Sequence, residues 1–388
     1  MVEVSGLKVG ERAPGKTRLS ALVGGEEIWF EMPADVASEP RGELFLAMGL
    51  FLAINRSEDL VFAPDLPLCP DLLTRLPYIL KILKQWNPEF RLPRVEAAAK
   101  PVPARPGMVV SSFSGGIDST FTFSRHRDKI THLFVSNCFD EDGTIEPFQE
   151  LVDKINRFAE AWDKRVLPIE TNARQVTYQQ NMTWDYLHGP FLCTVAAAFG
   201  PDQYFIPSSN TTRAMKPWGS HPFLDPLWAT GTTGIIHDGV EASRVDKTCA
   251  IARDPDLIGQ IQVCWNSKVT NCGKCSKCTR TLLVLHEIGI TDGPFPPIDP
   301  FAKINLLSTT SDVATSHIWD LWQFFKDRGR DDVAAALRKK IDRYLLKRSR
   351  EAFVKALLGP RGQEIFHRLR GTRWRGRRII LRDPDNFE

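Results

Sequence analysis

Several signals that would place this chain in a membrane or outside a cell are missing from its sequence. Residues 1–5 show no basic segment followed by an apolar one, so no signal peptide is expected. No run of about 18 apolar residues occurs, so no membrane span or membrane partner is expected. The formal net charge of +3 over 388 residues is nearly neutral and indicates no particular partner. The absence of HExxH, GxSxG and internal repeats gives no indication of a zincin, a serine hydrolase or a solenoid.

The eight cysteines are distributed unevenly, and no disulfide framework is expected from them. Four are scattered and are predicted to be reduced, buried, hydrophobic side chains: Cys69, Cys138, Cys193 and Cys249. The other four are clustered between residues 264 and 278. This distribution is typical of a metal site in a protein of the reducing cytoplasm.

The most informative motif is Ser-Gly-Gly-Ile-Asp-Ser at 114–119, which follows the apolar run Met108–Val110 and precedes a helix-like stretch. Two glycines let backbone N–H groups approach an anion, and a helix N-terminus adds positive potential. The hydroxyls of Ser114 and Ser119 can bind phosphate oxygens, and Asp118 can cap the helix or hold Mg²⁺. The pattern predicts a pyrophosphate-binding loop, with a plain capped Gly-Gly turn as the alternative.

Residues 106–300 alternate between strand and helix patterns. Such alternation predicts an α/β fold with a doubly wound parallel sheet, in which ligands bind at the carboxyl ends of the strands. The predicted strands cover 108–112, 132–136, 166–169 and 203–206, and the predicted helices cover 145–162 and 191–199.

The flanking segments predict two further domains. Residues 1–105 are expected to form a small α+β domain that ends in a Pro/Ala linker at 97–106. It is predicted to contain a hairpin of 18–23 with 28–32, a helix at 44–54 and a helix at 72–86 interrupted near Pro77. Residues 301–388 are expected to be helical at 313–325, 333–346 and 352–358, with an arginine-rich tail from 368 to 382.

The clustered cysteines have the spacing C-x7-C-x2-C-x2-C. Two residues between cysteines let two thiolates bind one ion, and four thiolates close a tetrahedral Zn²⁺ site with no open position. The spacing therefore predicts structural zinc on Cys264, Cys272, Cys275 and Cys278, with an iron–sulfur cluster or thiol redox chemistry as alternatives. Basic residues nearby are expected to offset the thiolate charge: Lys268, Lys274, Lys277 and Arg280.

A polar, glycine-rich segment between 207 and 247 is expected to recognise the substrate. The candidate residues are Ser208, Asn210, Arg213, His221, Asp225 and Arg244. Lys247 can neutralise charge on a departing pyrophosphate. A plain loop or capping role is the alternative for each of them, and His221 and His237 are isolated histidines of a kind that is more often structural.

Residues 10–17, Gly-Glu-Arg-Ala-Pro-Gly-Lys-Thr, match the Walker A pattern, but we interpret them as a turn. Too little chain precedes them for a central strand, and a hairpin follows where a helix is needed. The lysine is expected to be solvated.

The loop at 114–119, Asp246–Lys247 at a helix start and the segment Asn271–Arg280 occur in an order that resembles QueC-like enzymes. These form the 7-cyano-7-deazaguanine synthase group of the PP-loop ATP pyrophosphatases. The resemblance covers residues 106–295 and implies a HUP-type (adenine nucleotide alpha hydrolase-like) sheet, ATP with Mg²⁺, and structural Zn²⁺. It also implies adenylation of 7-carboxy-7-deazaguanine, attack by ammonia to give an amide, and a further ATP-dependent step to the nitrile.

Site residues follow from the same resemblance. It implies catalytic roles for Asp118 and Lys247, and an approach of the backbone of Asn137 and Cys138 to adenine. It assigns ATP and pyrophosphate binding to Ser114, Gly115, Gly116, Asp118, Ser119, Thr120 and Lys247. The family's Tyr-Pro-Asp-Cys-Arg segment is not found, and 220–225 is the nearest stretch, which leaves the acyl substrate and the amine open.

The sequence thus predicts an AMP-forming C–N ligase that adenylates a deazapurine carboxylate and transfers it to ammonia or to a macromolecular amine. The extra flanking segments resemble those of QueC-like proteins in bacterial anti-phage gene clusters and suit a protein acceptor. Two alternatives stay open. One is a tRNA-modifying PP-loop enzyme, which the arginine-rich tail favours, and the other is a non-catalytic nucleotide-binding scaffold subunit.

Overall fold

The computed structural model describes residues 1–37, 39–139, 145–264, 266–267 and 270–369. The described strands are β1 (Val2–Ala13), β2 (Lys16–Val23), β3 (Glu26–Pro33), β4 (Leu60–Phe62), β5 (Val95–Glu96), β6 (Arg105–Ser112), β7 (His132–Ser136), β8 (Arg165–Thr171), β9 (Pro201–Pro207) and β10 (Gly234–Asp238). The described α-helices are α1 (Glu43–Arg56), α2 (Pro70–Trp86), α3 (Ile117–His126), α4 (Ile145–Ala161), α5 (Ala173–Gln179), α6 (Trp184–Ala198), α7 (Arg244–Ile251), α8 (Pro255–Ile258), α9 (Ser276–Glu287), α10 (Asp312–Asp327) and α11 (Asp331–Leu369).

All of these strands belong to one sheet with the order β10-β9-β6-β7-β8-β3-β2-β1-β4-β5. The five strands from β10 to β8 are parallel to one another, which confirms the predicted α/β fold with a mostly parallel sheet. In chain order, β7 and β8 follow β6 on one side of it, and β9 and β10 then lie on its other side. The direction therefore reverses beside β6, and open α/β sheets bind ligands at this kind of switch point.

Helices cover both faces of the parallel strands. Since successive residues of a strand point to opposite faces, alternate residues pack in two different cores. On β7, Phe134 packs in the core that contains α1, α2 and α6. Its neighbours Leu133 and Val135 pack in the core that contains α3 and α4. This alternation, with β-branched and aromatic residues on both faces, is what a buried parallel sheet requires.

The N-terminal strands extend the central sheet. β3 pairs antiparallel with β8 through Phe30↔Thr171, and the Asn172 side chain accepts a hydrogen bond from the Trp29 N–H at 2.9 Å. One hydrophobic cluster runs from Val2 to Ile235. The predicted domain boundary coincides with the start of β6, and both the sheet and the core are continuous across it.

The predicted linker is held by a buried ion pair. Arg41 and Glu43 are 1% and 0% exposed, and the guanidinium also donates to the carbonyls of Lys100 at 2.7 Å and Pro101 at 3.2 Å. Charges are buried at acceptable free energy only when they are paired in this way. The linker backbone is therefore tied to the start of α1.

Several sequence predictions need correction. Helix α2 is not interrupted at Pro77: it continues, because Leu76, Ile79, Leu80 and Leu83 bury one apolar face in the core. The two helices predicted at 333–346 and 352–358 are parts of the single helix α11. Strand β10 was not predicted.

Other predictions are confirmed. The hairpin is β2 with β3, and no helix follows the Walker-like segment. That segment forms the end of β1, the turn at 14–15 and the start of β2, and its Lys16, which was expected to be solvated, pairs with Glu170 at 3.4 Å. The arginine-rich tail lies outside the described residues from position 370 onward. Among the described helices, none has the length and apolar character needed to cross a lipid bilayer.

Candidate functional site

The glycine loop lies between β6 and α3, at the switch point of the sheet. Gly115 has φ +72°, in the left-handed region that favours glycine, and Gly116 is the N-cap residue of α3. Ser114 and Ser119 lie within hydrogen-bonding distance across the loop, with 3.4 Å between their hydroxyl oxygens. The Gln262 N–H donates to the Gly115 carbonyl at 2.7 Å, which fixes the loop to the segment that precedes the cysteine cluster. Backbone N–H groups of the loop and of the first turn of α3 therefore converge at a helix N-terminus.

Asp118, in the first turn of α3, does not cap the helix. Its carboxylate accepts hydrogen bonds from the guanidinium of Arg244 and from Nζ of Lys247, the latter at 3.3 Å. Both basic residues lie on α7, whose start is fixed by a capping box between Ser243 and Asp246. Lys247 is 1% exposed and also donates to the Ser208 carbonyl at 2.5 Å.

Two further basic residues, Lys277 and Arg280 on α9, act on Asp118 through their charges. Burial alone raises the pKa of Asp118, but the charges of Arg244, Lys247 and Lys277 outweigh it and hold that pKa below its usual value. Burial, reinforced by the charge of Arg244, lowers the pKa of Arg280 to about 9. Burial also lowers the pKa of Lys247, although Asp118 partly offsets it. Asp118 thus contacts two cationic side chains and is influenced by the charges of two more.

Two guanidinium groups of this cluster have unused donors. The Nε atoms of Arg244 and Arg280 are buried and have no hydrogen-bond partner among the described residues. A buried, unsatisfied charged donor costs roughly 1–3 kcal/mol or more. The excess of positive charge around Asp118 is what an anion-binding site requires before its ligand arrives.

A cavity of about 830 Å³ opens beside the loop. Of the residues predicted for ATP, pyrophosphate or substrate, these line it: Ser114, Gly116, Asp118, Ser119, Ser208, Asn210, His221 and Arg244. The predicted residues Gly115, Thr120, Asn137, Cys138, Arg213, Asp225 and Lys247 do not.

Most of these non-lining residues are buried in structural contacts. The Asn137 amide exchanges two hydrogen bonds with the Thr171 backbone, at 2.9 and 3.1 Å. Burial raises the pKa of the Cys138 thiol to about 12. Thr120 is 2% exposed, whereas Arg213 is exposed on a turn. Their predicted contacts with adenine, phosphate or substrate stay predictions.

Asp225 is fully buried and holds other cavity residues in place. Its Oδ2 accepts from Nδ1 of His237 at 2.7 Å and from the Ser220 hydroxyl at 2.8 Å, and its Oδ1 accepts from the His221 N–H at 3.1 Å. His237 and His188 also line the cavity. Sequence reasoning assigned His237 a structural role, because β10 has no clear strand pattern, and it did not consider His188 on α6.

The four clustered cysteines come together as predicted. Their ligand atoms all lie within 4.8 Å of one another, and the sulfurs of Cys264 and Cys275 are 3.9 Å apart. Tetrahedral zinc at about 2.3 Å from each sulfur requires sulfur–sulfur separations of roughly 3.8 Å. Backbone N–H groups donate to three of the sulfurs, for example from Asn266 to Cys264 at 3.2 Å. The cluster can therefore hold a metal ion such as zinc.

The backbone at the cysteine cluster requires glycine at one position. Gly273 has φ +68°, and a Cβ there would lie 2.6 Å from Cδ1 of Ile298 and 2.9 Å from Pro296. Cys275 is the N-cap residue of α9, and its sulfur accepts from the Cys278 N–H at 3.5 Å. The same helix then carries Lys277 and Arg280. The cysteine cluster thereby sets the start of the helix that carries both of these basic residues. Their predicted neutralisation of the thiolates stays a prediction.

Helix α10 adds two titratable residues, His317 and Asp320, that sequence reasoning missed. Burial, with the charges of Arg280 and Arg244, holds the pKa of His317 well below its usual value. Burial, with the charge of Asp246, raises the pKa of Asp320 to about 6. A carboxyl group whose pKa is raised although basic residues lie nearby is more typical of functional sites than of structural ones.

An Asp320→Asn variant is expected to be more stable than the wild type by about 1–2 kcal/mol at pH 7.5. A carboxylate with a raised folded-state pKa costs stability above that pKa, and the cost is lost as pH falls toward the unfolded-state value near 3.9. Two pKa units correspond to about 3 kcal/mol, which partial exposure reduces. The gain in unfolding free energy from urea titration should shrink between pH 6 and pH 4. The exposed Asp128→Asn is the control, and a pH-independent difference would contradict the prediction.

Comparisons with protein-family models, with curated proteins and with solved structures found no match to this chain. The proposals below therefore depend on the geometry of this site and on the resemblance of its motifs.

Proposed function

We propose that this protein is an AMP-forming C–N ligase with a sheet of the HUP/PP-loop type. The observation that carries the proposal is the pairing of Arg244 and Lys247 with Asp118 at the N-terminus of α3, beside a cavity that Lys277 also lines. This arrangement suits a pyrophosphate group, which carries several negative charges and leaves when ATP is cleaved between the α- and β-phosphates. Donors that stabilise a developing anion contribute about 10²–10³-fold each in enzymes.

The residues of the loop supply the binding chemistry. The N–H groups at the start of α3 and the hydroxyls of Ser114 and Ser119 would hold the phosphate oxygens, and the buried lysine and arginine side chains would neutralise their charge. Mg²⁺ would supply further charge neutralisation when bound, and Asp118 would hold it only in place of Arg244 or Lys247, because each of its oxygens accepts a hydrogen bond from one of them. Zn²⁺ on the four cysteines would have a structural role, because four thiolates leave no open position.

The carboxylate substrate and the amine would occupy the remainder of the cavity. In this proposal the carboxylate attacks the α-phosphate, an acyl adenylate forms, and an amine then displaces AMP. No nucleophilic side chain is needed, because positioning and electrostatic stabilisation provide the rate enhancement. The resemblance favours a 7-deazapurine carboxylate, and the histidines at the cavity wall suit a polar, planar heterocycle.

The test is incubation of the purified protein with ATP, Mg²⁺ and 7-carboxy-7-deazaguanine, with and without ammonium, followed by mass spectrometry. AMP formation that depends on the deazaguanine supports the activation step, and an amide or nitrile identifies ammonia as the amine. A trapped adenylate without product indicates a macromolecular acceptor. No AMP with this carboxylate contradicts the deazaguanine assignment, and no ATP–pyrophosphate exchange with any carboxylate favours the scaffold function.

A Gly115→Val variant is expected to lose about 10²-fold or more of its pyrophosphate exchange. A Cβ at this position would lie 3.6 Å from Cβ of Gln262, so crowding is not the reason. A β-branched residue strongly disfavours the positive φ, and the loop would have to take another path. Gly107→Val is the matched control, because Gly107 has φ +81° with open space around it and lies at the other end of β6. Equal losses in the two variants would show that general backbone strain is responsible.

A further inference from the structure

His237, near the end of β10, combines three features. His237 lines the cavity, its side chain is 4% exposed, and its Nδ1 lies 2.7 Å from a carboxylate oxygen of the fully buried Asp225. An ionised carboxylate has only acceptor atoms, so Nδ1 carries the ring proton and Nε2 keeps its lone pair. Nε2 has no hydrogen-bond partner among the described residues. A histidine fixed in this tautomer by a buried carboxylate is the arrangement of a general base.

A second histidine in the same wall has the opposite tautomer. The Phe223 N–H donates to Nδ1 of His221 at 3.1 Å, so the proton of the neutral ring lies on Nε2. Burial lowers the pKa of His221, which favours the neutral ring. The cavity wall thus offers one ring nitrogen that accepts a proton and one that donates a hydrogen bond.

The His237–Asp225 pair is linked to the phosphate-binding end of the cavity. The Ser208 N–H donates to the carbonyl of Asp238, next to His237, at 2.8 Å. The carbonyl of Ser208 accepts from Lys247, which contacts Asp118. The Thr122 hydroxyl of α3 donates to the Asp238 carboxylate at 2.7 Å. Backbone and side-chain bonds therefore fix His237 relative to the loop that we assign to pyrophosphate.

We propose that His237 is the general base of the amide-forming step, with Asp225 as its positioning residue; this inference rests on the proposed ligase function. The amine nitrogen attacks the carbonyl carbon of the acyl adenylate, and its N–H proton passes to Nε2 of His237. The bond between that carbon and the AMP oxygen breaks, and AMP leaves with the electron pair. The proton then passes from Nε2 to water, so the products are the amide, AMP and one proton.

The test separates the two half-reactions. A His237→Gln variant is expected to lose about 10²–10⁴-fold in amide formation with ammonium. Its ATP–pyrophosphate exchange should fall by a far smaller factor, since adenylation needs no proton acceptor at this position. Hydroxylamine attacks acyl adenylates without a general base and should restore product formation. His286→Gln, whose ring contacts Phe301, is the matched control.

Asp225→Asn is the second variant, because an amide at this position allows the other tautomer of His237. Selective ¹⁵N labelling of histidine should show protonated Nδ1 and bare Nε2 for His237 in the wild type, and this measurement needs no activity. Parallel losses in exchange and amide formation, or the opposite tautomer, would overturn the inference. Absence of exchange in the wild type would instead contradict the ligase function itself.

Discussion

A Cys275→Ser variant is expected to lose its metal ion and, with it, more than about 10²-fold of the pyrophosphate exchange. Metal binding to structural thiolate sites is worth about 10–16 kcal/mol in isolated zinc-finger peptides, so loss of one ligand should also lower the thermal unfolding midpoint. Activity should fall because Cys275 begins α9, and α9 carries Lys277, which lines the cavity, and Arg280, whose charge acts on Asp118.

Elemental analysis of the purified chain and of the variant checks this prediction. One zinc per wild-type chain is expected, whereas iron and sulfide in its place would identify an iron–sulfur cluster. Cys249→Ser is the matched control, because Cys249 is half-buried on α7 and lies outside the cysteine cluster. A metal-free protein that keeps its exchange activity would contradict the structural role of the metal.

A Lys247→Met variant is expected to lose about 10²–10³-fold of its pyrophosphate exchange while its unliganded form keeps its stability. In the unliganded protein Arg244 and Lys247 both contact Asp118 and repel each other, so removal of the lysine relieves repulsion at the same time as it removes a contact with the carboxylate. Binding of pyrophosphate, by contrast, depends on that charge. Inorganic pyrophosphate should therefore raise the unfolding midpoint of the wild type and have a much smaller effect on the variant.

The exposed Lys339→Met is the control for this measurement, since it removes one positive charge on α11 at a distance from the loop. The comparison should be made at a fixed ionic strength, because exposed charges are screened more than buried ones. Retention of exchange within tenfold of the wild-type rate would show that Lys247 serves the fold and has no role at the phosphates.

Local patterns in the sequence were sufficient to predict the glycine loop and the cysteine cluster. The glycine loop needs a positive φ at Gly115, and the cysteine spacing needs a tight turn at Gly273. Both requirements depend on neighbouring residues, so both could be predicted without knowledge of the fold. The parallel strands β6 to β9 could be predicted for the same reason, because their apolar runs are short and bounded by polar turns, whereas β10 could not.

Contacts between distant segments could not be predicted in this way. Arg280 is influenced by the charges of Asp118 and Arg244 because of where α9 lies, and its sequence neighbours indicated only a role beside the thiolates. His237 lies on a short edge strand of five residues, and its partner Asp225 precedes it by a loop. The pairing of β3 with β8 gave no local signal either. In each case the decisive neighbour is far away in sequence.

The pairing of β3 with β8 has a consequence for synthesis of the chain. Phe30 pairs with Thr171, and the ribosome needs on the order of ten seconds to translate the intervening segment at about 5–20 residues per second. During that interval the hairpin of β2 and β3 presents an unpaired edge with apolar residues, which is a site of aggregation in nascent chains. The N-terminal strands therefore depend on residues made much later, and a chaperone that shields their edge during translation should increase the yield of folded protein.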